Sequence, residues 1–138
     1  MKFIWDDYYS VDVTIIDDQH KHFFEMANNI YDLANNQTIL KENLLGFAKK
    51  LETYGLYHFK TEEDYFKEFN YESATEHIEA HKQYQNKIKN YLDSINEEKT
   101  SLKELARELS VFSGDWLKNH IMVMDKKYTF FFHEHGLN

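Results

Sequence analysis

Apolar residues recur at three- and four-residue steps along most of this chain, the repeat that lines up side chains on one face of an α-helix. Phe23, Phe24, Ala27, Ile30, Tyr31 and Ala34 predict a first helix over about 18–36, with Asp17-Asp18 as its N-cap and Asn35-Asn36-Gln37 as its end. Leu40, Leu44, Phe47, Leu51, Tyr54, His58, Glu62 and Phe66 predict a second helix over about 39–66. After the connection Asn70-Tyr71-Glu72-Ser73, the Ser73/Glu76 pair has the form of a capping box. It would open a third helix over about 74–94, whose stripe is His77, His81, Tyr84, Ile88, Tyr91 and Leu92, with Ile95 just beyond. Residues 96–100 read as a charged turn, and a fourth helix from near Ser101 carries Leu102, Leu105, Leu109, Phe112, Trp116, Leu117 and His120. The β-branched run from Val11 to Ile16 ends an arm, residues 1–16, expected to lie extended across the helices. A short C-terminal helix is expected around Phe130-Phe131-Phe132. The fold class is therefore all-α: an up-down-up-down four-helix bundle.

Composition supports this. The 138 residues contain no proline and only four glycines, too few for the many turns of a sandwich or barrel. Ten Tyr and eleven Phe supply ample core for one domain spanning 1–138. A net charge of −8 without a basic stripe argues against a nucleic-acid partner. No apolar run approaches the ~20 residues that span a bilayer, and the acidic start after Met1-Lys2-Phe3-Ile4-Trp5 lacks a signal-peptide pattern. A cytoplasmic location is expected, and the oligomeric state is left open. With no cysteine, any bound metal must be held by nitrogen and oxygen.

The helical stripes carry polar intruders. His58 and Glu62 are four residues apart, as are His77 and His81, so each pair is only about 40° apart around its helix and faces one spot. His20, His120 and Asp125 complete a candidate set of seven. The five-residue step from His120 to Asp125 corresponds to about 140° on a regular helix. If both reach one site, the fourth helix must break or bulge between Ile121 and Met124. Imidazole suits iron, copper, nickel or zinc, and a carboxylate can bridge two ions. Five imidazoles and two carboxylates suit an iron pair, with a bridging solvent oxygen and one open coordination position. A metal-free network of mutually satisfied side chains is the alternative. His22, about 200° around the helix from His20, is expected to face solvent, and His133 and His135 lie in the tail.

The order His20, His58-x-x-x-Glu62, His77-x-x-x-His81, His120-x-x-x-x-Asp125 resembles the hemerythrin family, most closely its single-domain bacterial members. Trp5, the flanks Ile16-Asp17-x-Gln19-His20-Lys21 and Trp116-Leu117-x-x-His120-Ile121, and the positions of Tyr71 and Tyr128 agree with it. The resemblance implies reversible dioxygen binding, for storage, delivery or scavenging, at a non-haem di-iron centre with a bridging oxo or hydroxo group. It implies that His77, His81 and His120 complete one iron, that His20 and His58 serve the open one, and that Glu62 and Asp125 bridge. It also implies a dioxygen pocket formed by Phe23, Phe59, Trp116 and Leu117, with no catalytic residue. Phe23 stands where the family usually has Leu or Ile, and Asp12 where bacterial members often have Gly. The competing readings are a di-iron enzyme that detoxifies peroxide or nitric oxide, and an oxygen or redox sensor module.

Overall fold

The computed structural model describes residues 2–138. Four long helices form the bundle: α1 (Thr14–Ala34), α2 (Lys41–Phe69), α3 (Ala74–Glu97) and α4 (Leu102–Val123). A 3-10 turn, Asp125–Tyr128, leads from α4 into a short α5 (Thr129–Glu134). Helices α1 and α3 each pack between α2 and α4, as an up-down-up-down connection requires. No strand occurs among the described residues, and no helix there is long and apolar enough to cross a membrane. One half of the interior is aliphatic, built from Ile30, Leu44, Leu51, Ile88, Ile95, Leu105 and Leu109. The other half holds the buried histidines and carboxylates.

The arm is shorter than the β-branched run predicts. Helix α1 starts at Thr14, with Val13 as an N-cap that makes no side-chain bond, so Asp17 and Asp18 lie within the helix. Asp17 stabilises this start differently. Its carboxylate accepts the Val11 N–H at 2.8 Å and the Ser10 hydroxyl at 2.5 Å, folding the arm back onto the first turn. Asp12 sits in the left-handed region with φ +55°. A short polar side chain tolerates that conformation and glycine adopts it freely, which explains why both suit this position. The tail clamps the same segment: His133 Nε2 lies 2.7 Å from the Asp12 carbonyl, and the Thr129 hydroxyl donates to the Val11 carbonyl at 2.8 Å. Farther along the arm, Phe3 and Asn28 exchange two hydrogen bonds of 2.8 Å. The Phe3 ring lies so close over Gly114 that a Cβ there would run into it.

The other ends follow local rules. Helix α2 runs three residues past the predicted Phe66 and stops at Asn70, whose φ of 61° breaks the helix. The extension brings Phe69 against Phe132 and stacks it on His135. Ser73 precedes α3 but makes no capping bond, so the expected capping box does not form. Its backbone, at φ −93° and ψ 18°, is not in the extended conformation an N-cap uses. Helix α3 continues to Glu97 and ends at Glu98, whose φ is 53°. Helix α4 is capped by Ser101 Oγ, which accepts the Glu104 N–H. It breaks at Val123–Met124, inside the predicted window, and the tighter turn that follows carries Asp125 into the interior.

Candidate metal centre

The structure brings all seven predicted residues into one buried cage and leaves out His22, His133 and His135, which are exposed. Two adjoining groups share a carboxylate: Glu62 with His77, His81 and His120, and Glu62 with His20, His58 and Asp125. His120 Nε2 lies 2.9 Å from His77 Nε2 and 3.2 Å from His81 Nε2. Three donors bound cis on an octahedral ion at ~2.1 Å stand about 3 Å apart, so this triad has the spacing of one coordination face. Asp125 divides its oxygens between the groups. Oδ1 lies 2.8 Å from His77 Nε2 and 3.0 Å from His120 Nε2, and Oδ2 lies 3.1 Å from His20 Nε2. Glu62 Oε1 stands between the groups, 3.2 Å from His58 Nε2 and 3.3 Å from His81 Nε2.

These contacts are close, yet they do not satisfy one another. His20 Nδ1 and Nε2, His58 Nε2, Glu62 Oε1 and both Asp125 oxygens are buried with no hydrogen-bond partner. A self-satisfying polar network would leave few such atoms, because each costs on the order of 1–3 kcal/mol. Lone pairs that converge on shared points, and not on each other's protons, are what cations need. The nitrogen-rich donor set fits a pair of transition-metal ions.

A second layer orients the donors. His58 Nδ1 lies 2.7 Å from Gln19 Oε1, so it carries the proton and turns an unprotonated Nε2 inward. Gln19 is held in turn by the Thr61 hydroxyl at 3.1 Å. Glu63 accepts the Nδ1 proton of His81 at 2.7 Å. Tyr128 donates its hydroxyl to Glu62 Oε2 at 2.6 Å. Aromatic rings cover the imidazoles: Phe59 stacks on His81 at 4.0 Å and Trp116 on His120 at 4.4 Å. Phe23 meets His58 edge-on at 6.1 Å. Phe23, Phe59 and Leu117 are buried and Trp116 is half-buried. Tyr84 touches Phe23, Phe59 and Trp116 and ties its hydroxyl to Ser113. Residue spacing puts Tyr84 on the buried stripe of the third helix, as found, but assigns no role to Gln19, Thr61 or Glu63. Gln19 and Glu63 each neighbour a candidate donor, and Gln19 lies in a flank that carries the family resemblance, but neither signal names the bond it makes.

The electrostatics suit cations. Burial pushes the Asp125 carboxyl up, but the close imidazoles of His120, His20 and His77 outweigh it and hold it well below its ordinary range. Burial and the neighbouring Asp125 raise Glu62, and His58 and His81 outweigh them, so it too stays ionised. Burial lowers His58 and keeps it neutral against the pull of Glu62. His81 differs from the expectation of five neutral imidazoles. Burial lowers it, but the close carboxylates of Glu62 and Glu63 prevail and raise its pKa to about 9. Below that pH the metal-free protein holds an extra proton on His81, and an incoming cation must displace it. Zinc uptake by metal-free protein should therefore weaken roughly tenfold per pH unit as the pH falls from about 9 towards neutrality. Competition titrations against a chelator of known pH dependence measure this, and an affinity flat over that range contradicts it.

Residues 11–129 match the model of the hemerythrin HHE cation-binding domain, and the chain belongs to the hemerythrin family. It is 27% identical over 128 residues to a bacteriohemerythrin of Clostridium acetobutylicum, covering 91% of this chain and 98% of that one. It is 31% identical over 126 residues to a hemerythrin-like protein of Naegleria gruberi, covering 91% and 90%. The fold superposes on a crystal structure of wild-type hemerythrin with a TM-score of 0.82 at 25% identity, covering 92% of this chain and 95% of that chain.

Proposed function

We propose that this protein binds dioxygen reversibly at a pair of iron ions held by His20, His58, Glu62, His77, His81, His120 and Asp125. The observation that carries the reading is the unequal division of the cage: three imidazoles on one side and two on the other, with carboxylates between. Five imidazoles and two shared carboxylates would hold the pair and would leave one position open to a small exogenous ligand. A ferrous pair, when bound, supplies the electrons and that free position to dioxygen. The protein keeps the process reversible. Gln19 and Glu63 fix the tautomers of His58 and His81. Tyr128 holds Glu62 in place. Phe23, Phe59, Trp116 and Leu117 form the dioxygen pocket and keep water from the free position. Few anionic donors favour binding over oxygen activation, and among the described residues no carboxylate outside the cage is buried, which favours a binder over an enzyme. The test is the absorption spectrum of the anaerobic, iron-loaded, reduced protein. Air should produce new visible bands, and removing oxygen should abolish them through repeated cycles. Irreversible oxidation in the first cycle overturns the reading.

Phe23 is the gate in this scheme. Its ring lies against Phe59 and Tyr84 and borders His58. Phe23→Leu should open that side, so azide should bind several-fold faster and the oxygenated form should oxidise several-fold faster, at unchanged iron content. Stopped-flow mixing with azide and a timed spectral record measure both rates. If only stability falls, by about 1 kcal/mol as for a near-conservative core exchange, Phe23 is packing alone.

A further inference from the structure

We infer that the groove between α2 and α3, which adjoins the metal cage through His81 and Phe59, is a binding site for an amphipathic organic carboxylate. The groove encloses about 440 Å³, within the range of small-molecule sites. Its floor is apolar, formed by Leu56 and Phe59 of α2 and Ile78 of α3. Its rim is cationic, with Lys60, Lys82 and Lys89 around it. This is a local reversal on a chain whose net charge is −8. Lys60 is paired with Asp64 at 2.7 Å. Lys82 and Lys89, on one face of α3 at a seven-residue spacing, are exposed and have no carboxylate partner among the described residues.

A further donor marks the spot. Gln85 stands between those two lysines on α3, and its Nε2 is buried with no hydrogen-bond partner. A buried amide N–H without an acceptor is costly, and this one is turned inward over Gly55, so a ligand oxygen would satisfy it once the side chain swings out to the groove. Among the described residues, the one carboxylate lining the groove is Glu63, which is engaged by His81 at 2.7 Å. The chemistry that fits is one anionic head between Lys82 and Lys89, with an aliphatic tail of about seven carbons on the Leu56–Phe59–Ile78 floor. A second amphipathic feature, the groove lined by Tyr54 and Tyr57, has its lysines on α2 alone and no unpartnered buried donor. Because Phe59 also stacks on His81, an occupant would touch a ring that covers the metal cage.

Isothermal titration of the metal-loaded protein with octanoate, and with octanol as the uncharged control, tests this. Octanoate should bind saturably with one site per chain, roughly tenfold or more tighter than octanol, and the Lys82→Glu/Lys89→Glu variant should lose about tenfold in affinity. Octanoate should also slow acetylation of Lys82 and Lys89 by acetic anhydride, read residue by residue by mass spectrometry, while leaving Lys49 and Lys50 unchanged. Equal affinity for octanol, an unaffected double variant, or uniform lysine reactivity overturns the inference. None of these readouts depends on dioxygen, so the groove stands or falls apart from the oxygen-binding reading.

Discussion

Removing the metal should lower the melting temperature of this protein by more than ten degrees. The metal-free cage buries six polar atoms without partners and places two ionised carboxylates against each other. Each orphaned atom costs on the order of 1–3 kcal/mol, and a cation satisfies several at once. An ion present at a thousand times its dissociation constant contributes about 4 kcal/mol. For a chain of this size each kcal/mol moves the midpoint by roughly 3–4 °C. Two such ions therefore shift it well beyond the scatter of a scan. Calorimetry before and after exhaustive chelation, at matched ionic strength, measures the shift. Coincident melting curves would mean that the cage does not bind metal in the folded state, or that the folded state gains nothing from it.

Glu62→Gln should cost more metal than the loss of any single histidine. Glu62 belongs to both groups of donors, is fully buried, and is the acceptor for Tyr128. The amide removes a negative charge and can place an N–H where a cation's lone-pair donor is required. Both ions lose a ligand, so bound iron should fall from about two per chain to well under one. His20→Ala touches only one group, and about one ion should remain. Elemental analysis after dialysis against a weak chelator distinguishes these outcomes. Equal losses in the two variants would contradict the shared role of Glu62.

Much of this architecture is readable because it rests on periodicity. The i,i+4 spacing of His58 with Glu62 and of His77 with His81 survives in the fold because it needs only regular helices. The break at Val123–Met124 was legible for the opposite reason: a regular helix cannot turn both His120 and Asp125 inward. What periodicity misses depends on contacts across the chain. Asp17 looks like a cap, but the arm it binds, through Ser10 and Val11, lets the helix begin at Thr14. Ser73 has the right neighbour for a capping box, yet the turn after Asn70 sets its backbone in the wrong conformation. The bond from Gln19 to His58 spans 39 positions and that from Tyr128 to Glu62 spans 66. Neither leaves a trace in local pattern. The basic groove is invisible for the same reason, since Leu56 and Phe59 meet Lys82, Gln85 and Lys89 only when α2 and α3 pack together.

The central claim is that these seven side chains hold two iron ions side by side. Anomalous diffraction at the iron absorption edge, from crystals of protein loaded anaerobically with ferrous iron, tests it most directly. Two strong peaks are expected inside the cage, separated by less than about 4 Å. One peak should lie against His77, His81 and His120, the other against His20 and His58, with Glu62 and Asp125 reaching both. A single peak, peaks outside the cage, or a Glu62 side chain turned to solvent would contradict it.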